Sequence, residues 1–233
     1  YAFEHGLVKP IVNKNRTGKK VCVVGSGPAA LAAAQQLNRF GHDVTVLEKM
    51  NKIGGLLRYG IPDFKLPKEI LDRRISQLEQ EGITFKTKTI VGAIKELEHG
   101  VHNDSLTEVR GEQLLKDYDA IVLAPGSESP RDLKLPGRSL SGIYFALDFL
   151  IAQNRENNGD CPNPIDVKGK NVVVIGGGET ASDCIGVSIR KGAASVVQLD
   201  YHDELPESVD LTLAWPEWRK IKRTSTSHEE GCT

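Results

Sequence analysis

KKVCVVGSGPAALAAAQQLNRFGHDVTVLEK, Lys19 to Lys49, is the stretch that decides how this chain reads. Val21-Cys22-Val23-Val24 is an apolar, β-branched run of the kind that forms a strand buried on both faces. It ends at Gly25-Ser26-Gly27-Pro28-Ala29-Ala30, a G-x-G-x-x-A turn. Leu31 to Phe40 reads as a helix stopped by Gly41, and Val44 to Leu47 as a second strand. Glu48 closes that strand, 23 residues after Gly25. In this order the parts describe a dinucleotide-binding unit. Gly25 makes the tight turn, Gly27 lets backbone approach a pyrophosphate, and small Ala30 lets helix and strand pack closely. Pro28 and Ala29 open the helix, whose N-terminus offers unpaired N–H groups to phosphate. Glu48 falls where a carboxylate accepts from ribose hydroxyls, with Lys49 beside it among the cofactor residues.

The same device occurs twice. Gly169-Lys170-Asn171-Val172-Val173-Val174-Ile175-Gly176-Gly177-Gly178-Glu179-Thr180-Ala181 repeats the run that begins at Gly18. Gly18 and Gly169, Gly25 and Gly176, Ala30 and Ala181, and Gly41 and Gly192 all keep one spacing of 151 residues. One inserted residue after Gly192 then sets Val196 to Asp200 against Val44 to Glu48 at a spacing of 152. A repeated supersecondary unit with every turn glycine retained predicts two nucleotide sites. Gly176, Gly178, Glu179, Thr180 and Ala181 are the expected pyrophosphate residues of the second site, with Asp200 at the ribose position.

Composition sets bounds. The 233 residues suffice for two ordinary domains, and a net charge of −1 gives no electrostatic case for nucleic acid or a membrane surface as partner. No apolar run approaches the roughly 20 residues of a membrane span, and no signal peptide leads the chain. Cys22, Cys161, Cys184 and Cys232 form no C-x-x-C pair. Cys22 and Cys184 fall inside the repeats as small apolar residues, which predicts a reducing, cytoplasmic setting and argues against a redox-active dithiol. The absence of a starting methionine and the polar end at Ser227 to Thr233 suggest a piece of a longer protein.

Between the repeats, Ile53-Gly54-Gly55-Leu56-Leu57-Arg58-Tyr59-Gly60-Ile61-Pro62 and Phe64-Lys65-Leu66-Pro67 form a stiffened loop whose paired glycines let backbone lie against a large ligand. Lys68 to Glu81 reads as an amphipathic helix, and Ile83 to Thr87 as a strand. Residues 92–112 are polar and read as a surface excursion with irregular hairpins, its His99 and His102 solvated rather than metal-bound. Asp119 to Gly126 reads as a buried strand ending in a small-residue turn at the ligand crevice, which places Gly126 among the cofactor residues. Tyr144 to Ala152 is expected to be a helix. Trp215-Pro216-Glu217-Trp218 reads as an ordered loop packed on its domain. The expected architecture is α/β: a lead-in over 1–17, a Rossmann-like FAD-type domain over 18–137 and a nicotinamide-nucleotide domain over 138–233.

The chain resembles the small (beta) subunit of glutamate synthase. GSGPAAL at 25–31, GGLLRYGIPDFKL at 54–66, YDAIVLAPG at 118–126, GGGETASDC at 176–184, WPEW at 215–218 and HEE at 228–230 carry the resemblance. It implies FAD in the first unit, lined also by Gly55, Leu56, Leu57 and Lys65, and NADH or NADPH in the second. It further implies a cysteine-rich iron–sulfur module before Tyr1 and a large (alpha) subunit as partner, where glutamine and 2-oxoglutarate become glutamate. Three residues depart from the family pattern: Ala30 for glycine, Pro125 for threonine, and Glu179 for aspartate. No catalytic side chain is expected, because bound cofactors carry the hydride and electron chemistry. Two other readings stay open: a related flavin electron-transfer module of the ferredoxin-reducing or dihydropyrimidine dehydrogenase kind, and a non-catalytic dinucleotide-binding scaffold. Asp200, followed by acids and no arginine, predicts NADH over NADPH, although Arg219, Lys220, Lys222 and Arg223 lie downstream.

Overall fold

The computed structural model describes residues 1–92, 106–127, 129–200, 206–208, 222 and 224–232. The chain is α/β and divides into two compact units, Tyr1–Ile143 and Tyr144–Thr233. The His99 and His102 excursion, the WPEW stretch, Asp203, Glu204, Arg219, Lys220 and Arg223 lie outside the described residues.

The first unit is built on β1 (Lys20–Val24), α1 (Pro28–Arg39) and β2 (Asp43–Leu47). With β3 (Thr84–Lys86) and β6 (Ala120–Leu123) they form a parallel sheet in the order β3-β2-β1-β6. Strand β1 sits between two partners, pairing Val21 with Val44 on one side and with Ala120 on the other. Alternate residues therefore face two cores. Val21 and Val23 pack with Val44, Val46 and the apolar faces of α1 and α3 (Lys68–Gln80). Cys22, Leu47 and Leu114 form the opposite cluster. Leu114 comes from α4 (Gly111–Asp117), and a short parallel pair, β4 (Thr89–Val91) with β5 (Thr107–Val109), lies between α3 and α4 in the chain. A further single turn, α2 (Leu56–Tyr59), occupies the glycine-pair loop.

In the second unit α5 (Ala146–Asn157) precedes β7 (Asn171–Ile175), α6 (Glu179–Arg190) and β8 (Ser195–Leu199). Strands β7 and β8 pair from Asn171 with Ser195 to Ile175 with Leu199, the register that β1 and β2 keep from Lys20 with Asp43 to Val24 with Leu47. Phe149, Leu150, Cys184 and Val187 pack α5 against α6 beneath Val172 and Val174. A four-residue turn, α7 (Thr226–Glu229), comes next, and Cys232 bridges Val196 in parallel.

The structure corrects several expectations. Helix α1 begins at Pro28, not Leu31, because proline at the first helical position has its φ preset and gives up only an N–H that needs no partner there. Helix α5 runs on to Asn157. The described flanks of 92–112 hold no antiparallel hairpin: β4 and β5 run parallel, and α4 starts at Gly111. Strand β6 is not buried. It is the sheet's edge, and Leu123 is 73% exposed.

A buried carboxylate ties α1 to α3. Glu81, just past α3, is fully buried and accepts from Gln35 (2.9 Å), Gln77 (2.8 Å) and Arg39 (3.1 Å), while Asn38 donates to its carbonyl at 2.7 Å. Burial alone pushes its pKa up, but the hydrogen bonds from Arg39, Gln35 and Gln77 outweigh it and hold the carboxyl below its ordinary 4.5. A depressed folded-state pKa stabilises above the unfolded value and is lost as pH falls through the folded one. Glu81→Ala leaves three donors facing one another and is expected to destabilise by about 3 kcal/mol, read by urea unfolding at pH 7. The gap between variant and wild type should narrow as both are acidified below pH 4.5, where the carboxylate takes up a proton.

Candidate dinucleotide sites

Both candidate sites grow from a strand that ends in a left-handed glycine. Gly25 has φ +98°, and its N–H donates to Leu47 O at 2.8 Å. A Cβ there would fall 2.3 Å from Ala124 O, so the turn closes against the end of β6 only without a side chain. Gly27 caps α1 with extended backbone and no side-chain cap. A Cβ on Gly27 would meet no protein atom within 4 Å. The helix start thus faces open space, its first N–H groups uncapped by side chains, as a phosphate cradle requires.

The glycine-pair loop forms the next wall. Gly55 adopts φ +53°, ψ −132°, and a Cβ on it would lie 2.9 Å from Gly27 Cα, so two backbones touch where the turn and loop cross. Ser26 is the node beneath them. It is 1% exposed, its Oγ donates to Glu48, and it accepts the Gly54 N–H at 2.9 Å. The other Glu48 oxygen accepts the Met50 N–H at 2.8 Å. Glu48, though buried, sits at the C-terminal edge with its carboxylate held by two donors of its own unit and further lone pairs for hydroxyls.

The loop itself is anchored away from the turn. Arg58, 3% exposed, donates from Nε to Ile53 O at 2.7 Å and pairs with Asp72. Tyr59 donates to Asn51 at 2.5 Å, and Lys68 donates to Ile61 O at 2.6 Å beside Asp63. These clamps leave Leu56 exposed, tuck Leu57 against the core and hold Lys65 half-exposed, its N–H donating to Pro62 O. Pro28 and Ala29 are exposed on the first turn of α1, Ala30 is buried beneath, and Lys49 is half-buried after Glu48. Gly126, φ +81°, comes after β6 with open space around it.

The second unit repeats the plan with one exchange. Gly176 has φ +130° and donates to Leu199 O at 2.8 Å, and Gly178 caps α6 with open space around its Cβ position. Glu179 and Thr180 are exposed on the first turn, and Ala181 is buried. Gly177 stands where the first unit has Ser26. A Cβ at Gly177 would lie 1.6 Å from an Asp200 carboxylate oxygen, so the acid lies directly against the turn. The sites therefore share backbone geometry but differ in the residue set beside the ribose-position acid, Ser26 in one and Gly177 in the other. Ser26, Gly177 and the Arg58 clamp escape sequence reasoning, because the residue between the motif glycines reads as free and a loop arginine reads as solvated.

Cys22 and Cys184 lack thiolate character. Burial pushes Cys22 up to about 11 and Cys184 up to about 12, the latter aided by the neighbouring Asp183 charge. Among the described residues no group of three or more His, Cys, Asp or Glu side chains is placed to hold a metal ion. No described helix is long and apolar enough to cross a membrane.

Known proteins share this arrangement. The chain is 44% identical over 236 residues to the Mycobacterium tuberculosis protein named glutamate synthase [NADPH] small chain, covering 99% of this chain and 46% of that one. It is 42% identical over 232 residues to the glutamate synthase [NADH] of Schizosaccharomyces pombe, covering 98% of this chain and 10% of that one. The chain thus spans less than half the length of these relatives. Among solved structures, Mycobacterium tuberculosis FprA in complex with NADPH superposes with a TM-score of 0.59 at 28% identity, over 78% of this chain and 43% of that chain. Residues 19–221 match the pyridine nucleotide-disulphide oxidoreductase family, and the chain belongs to that family.

Proposed function

We propose that this chain is the electron-input part of a glutamate synthase, binding FAD in the first unit and a nicotinamide dinucleotide in the second. The observation that carries this reading is the pair of uncapped helix starts at Gly27 and Gly178, each facing open space beside a strand-tip acid. The relatives named glutamate synthase support the assignment to that enzyme.

In this reading the protein binds, orients and shields. Gly25, Gly27, Pro28, Ala29 and Ala30 hold the FAD pyrophosphate by backbone approach and helix dipole, and Glu48 accepts from the ribose. Lys49, Gly55, Leu56, Leu57, Lys65 and Gly126 line the remaining wall. Gly176, Gly178, Glu179, Thr180 and Ala181 hold the nicotinamide dinucleotide, with Asp200 at its ribose. FAD, when bound, supplies the conversion of a two-electron hydride into single electrons. In the parent protein, an iron–sulfur module would carry the electrons on to the large (alpha) subunit in the cytoplasm, the partner with which glutamate would form from glutamine and 2-oxoglutarate.

The first test is Gly27→Val in the full-length protein. A Cβ there meets no protein atom within 4 Å, so the fold is expected to hold, yet the side chain occupies the phosphate's place. FAD content should fall by about tenfold or more while binding at the second site persists. Undiminished FAD in a folded variant would mean that the phosphate sits elsewhere.

Asp200 generates a second prediction. A carboxylate at the strand tip accepts from a free 2′-hydroxyl and repels a 2′-phosphate. Relatives of nearly equal identity carry NADPH or NADH in their names, so the preference turns on local residues. The full-length enzyme is expected to show the higher kcat/KM with NADH, and Asp200→Ala to narrow that preference by about tenfold. A wild type faster on NADPH refutes the argument from Asp200.

A further inference from the structure

The second phosphate turn is held by a side-chain chain that its counterpart lacks. Gln198 of β8 donates from Nε2 to Gly176 O at 2.8 Å. The repeat sets Gln198 against Val46, which is fully buried in the apolar core of the first unit. An amide has replaced a core valine, and a partner comes with it: His228 Nε2 lies 2.9 Å from Gln198 Oε1. The other ring nitrogen, Nδ1, receives the Ser225 N–H at 3.1 Å, with Ser225 Oγ at 2.9 Å. Ser225 Oγ in turn lies 2.5 Å from Ser182 Oγ on α6.

The donors in this chain run one way. An Nδ1 that accepts from Ser225 leaves the imidazole proton on Nε2, which donates to Gln198 Oε1. The amide nitrogen of Gln198 is then the end that meets the Gly176 carbonyl. Because the peptide is planar and trans, fixing that carbonyl towards Gln198 turns the Gly177 N–H to the opposite side. One backbone donor of the turn is oriented before any ligand arrives, which lowers the ordering cost of binding. Ser225 and His228 also form the capping box of α7, with histidine in the place usually taken by glutamate or glutamine. A cap needs only Nδ1, so the Nε2 contact is an additional role.

We propose that His228, acting through Gln198, is the positioning residue that sets the Gly176–Gly178 turn for its nicotinamide dinucleotide. This rests on the second unit being the nicotinamide site. The test is titration of the FAD-loaded full-length protein with whichever of NADH and NADPH the wild type binds more tightly, alongside flavin reduction at saturating nucleotide. His228→Leu and Gln198→Met should each raise Kd by about fivefold to tenfold, the loss of one hydrogen bond, with the saturated reduction rate within about twofold of wild type. His228→Gln, which keeps a donor near Nε2, should recover most of the affinity. If His228→Leu does not fold, Gln198→Met carries the same comparison without touching the α7 cap. An unchanged Kd in Gln198→Met, or as large a loss in His228→Gln as in His228→Leu, overturns the proposal while leaving the site assignment intact. Gly178→Val separates the two, since it should abolish nucleotide binding. Binding that survives Gly178→Val places the nucleotide elsewhere and overturns both.

Discussion

The turn of the first unit depends on the contact between Gly25 and the end of β6. A methyl group on Gly25 would fall 2.3 Å from Ala124 O, a distance no side-chain carbon tolerates. The strand can therefore turn into α1 directly over β6 only because that position carries no Cβ and accepts φ +98°. Once it turns there, α1 lies along the sheet face and its start opens at the C-terminal edge, beside the tips of β2 and β6. Gly55 then brings a second backbone against Gly27, where even a Cβ would lie only 2.9 Å from the Gly27 Cα. Three chain segments converge on one edge because their contacts are made of backbone.

The two units answer one geometric problem with different chemistry. Strand registers match residue for residue, yet the acid at the strand tip is held by the Ser26 hydroxyl in one unit and rests on Gly177 in the other. The exchange is correlated. A side chain at 177 would make the Asp200 carboxylate move, and a glycine at 26 would strip Glu48 of a donor and leave the Gly54 N–H without its acceptor. Val46 and Gln198 repeat the pattern one strand over, apolar where a helix packs and polar where the α7 turn meets the strand. Duplication preserved backbone and let the side chains beneath each turn diverge.

That division explains which features are legible in the sequence. Glycines at fixed spacing, β-branched runs and strand-tip acids report backbone geometry directly, so both turns, their helices and their strands are readable from residues 18–48 and 169–200. Helix α4 is less so. Its seven residues present only Leu114 to a core, too little for a helical period. The exposure of β6 is also hidden, since an apolar run gives no sign that its strand lies at a sheet edge. Ser26, Arg58, Gln198 and His228 are illegible for another reason. Their partners lie on other elements, and a polar residue alone does not say whether it faces water or a carbonyl.

The buried groups indicate how such a scaffold divides its work. Cys22 and Cys184 carry thiols pushed to about 11 and about 12 by burial, so neither supplies a nucleophile at neutral pH. Glu81, fully buried, has Gln35, Gln77 and Arg39 on its carboxylate and is committed to holding two helices together. Glu48 accepts from Ser26 and Met50 and keeps further lone pairs for a ligand's hydroxyls. Among the described residues, the two helix starts at Gly27 and Gly178 present backbone N–H groups without side-chain caps. The two helix starts contribute pre-oriented backbone dipoles. Their performance then depends on how firmly the turns are held, and so on the residues beneath the glycines as much as on the glycines themselves.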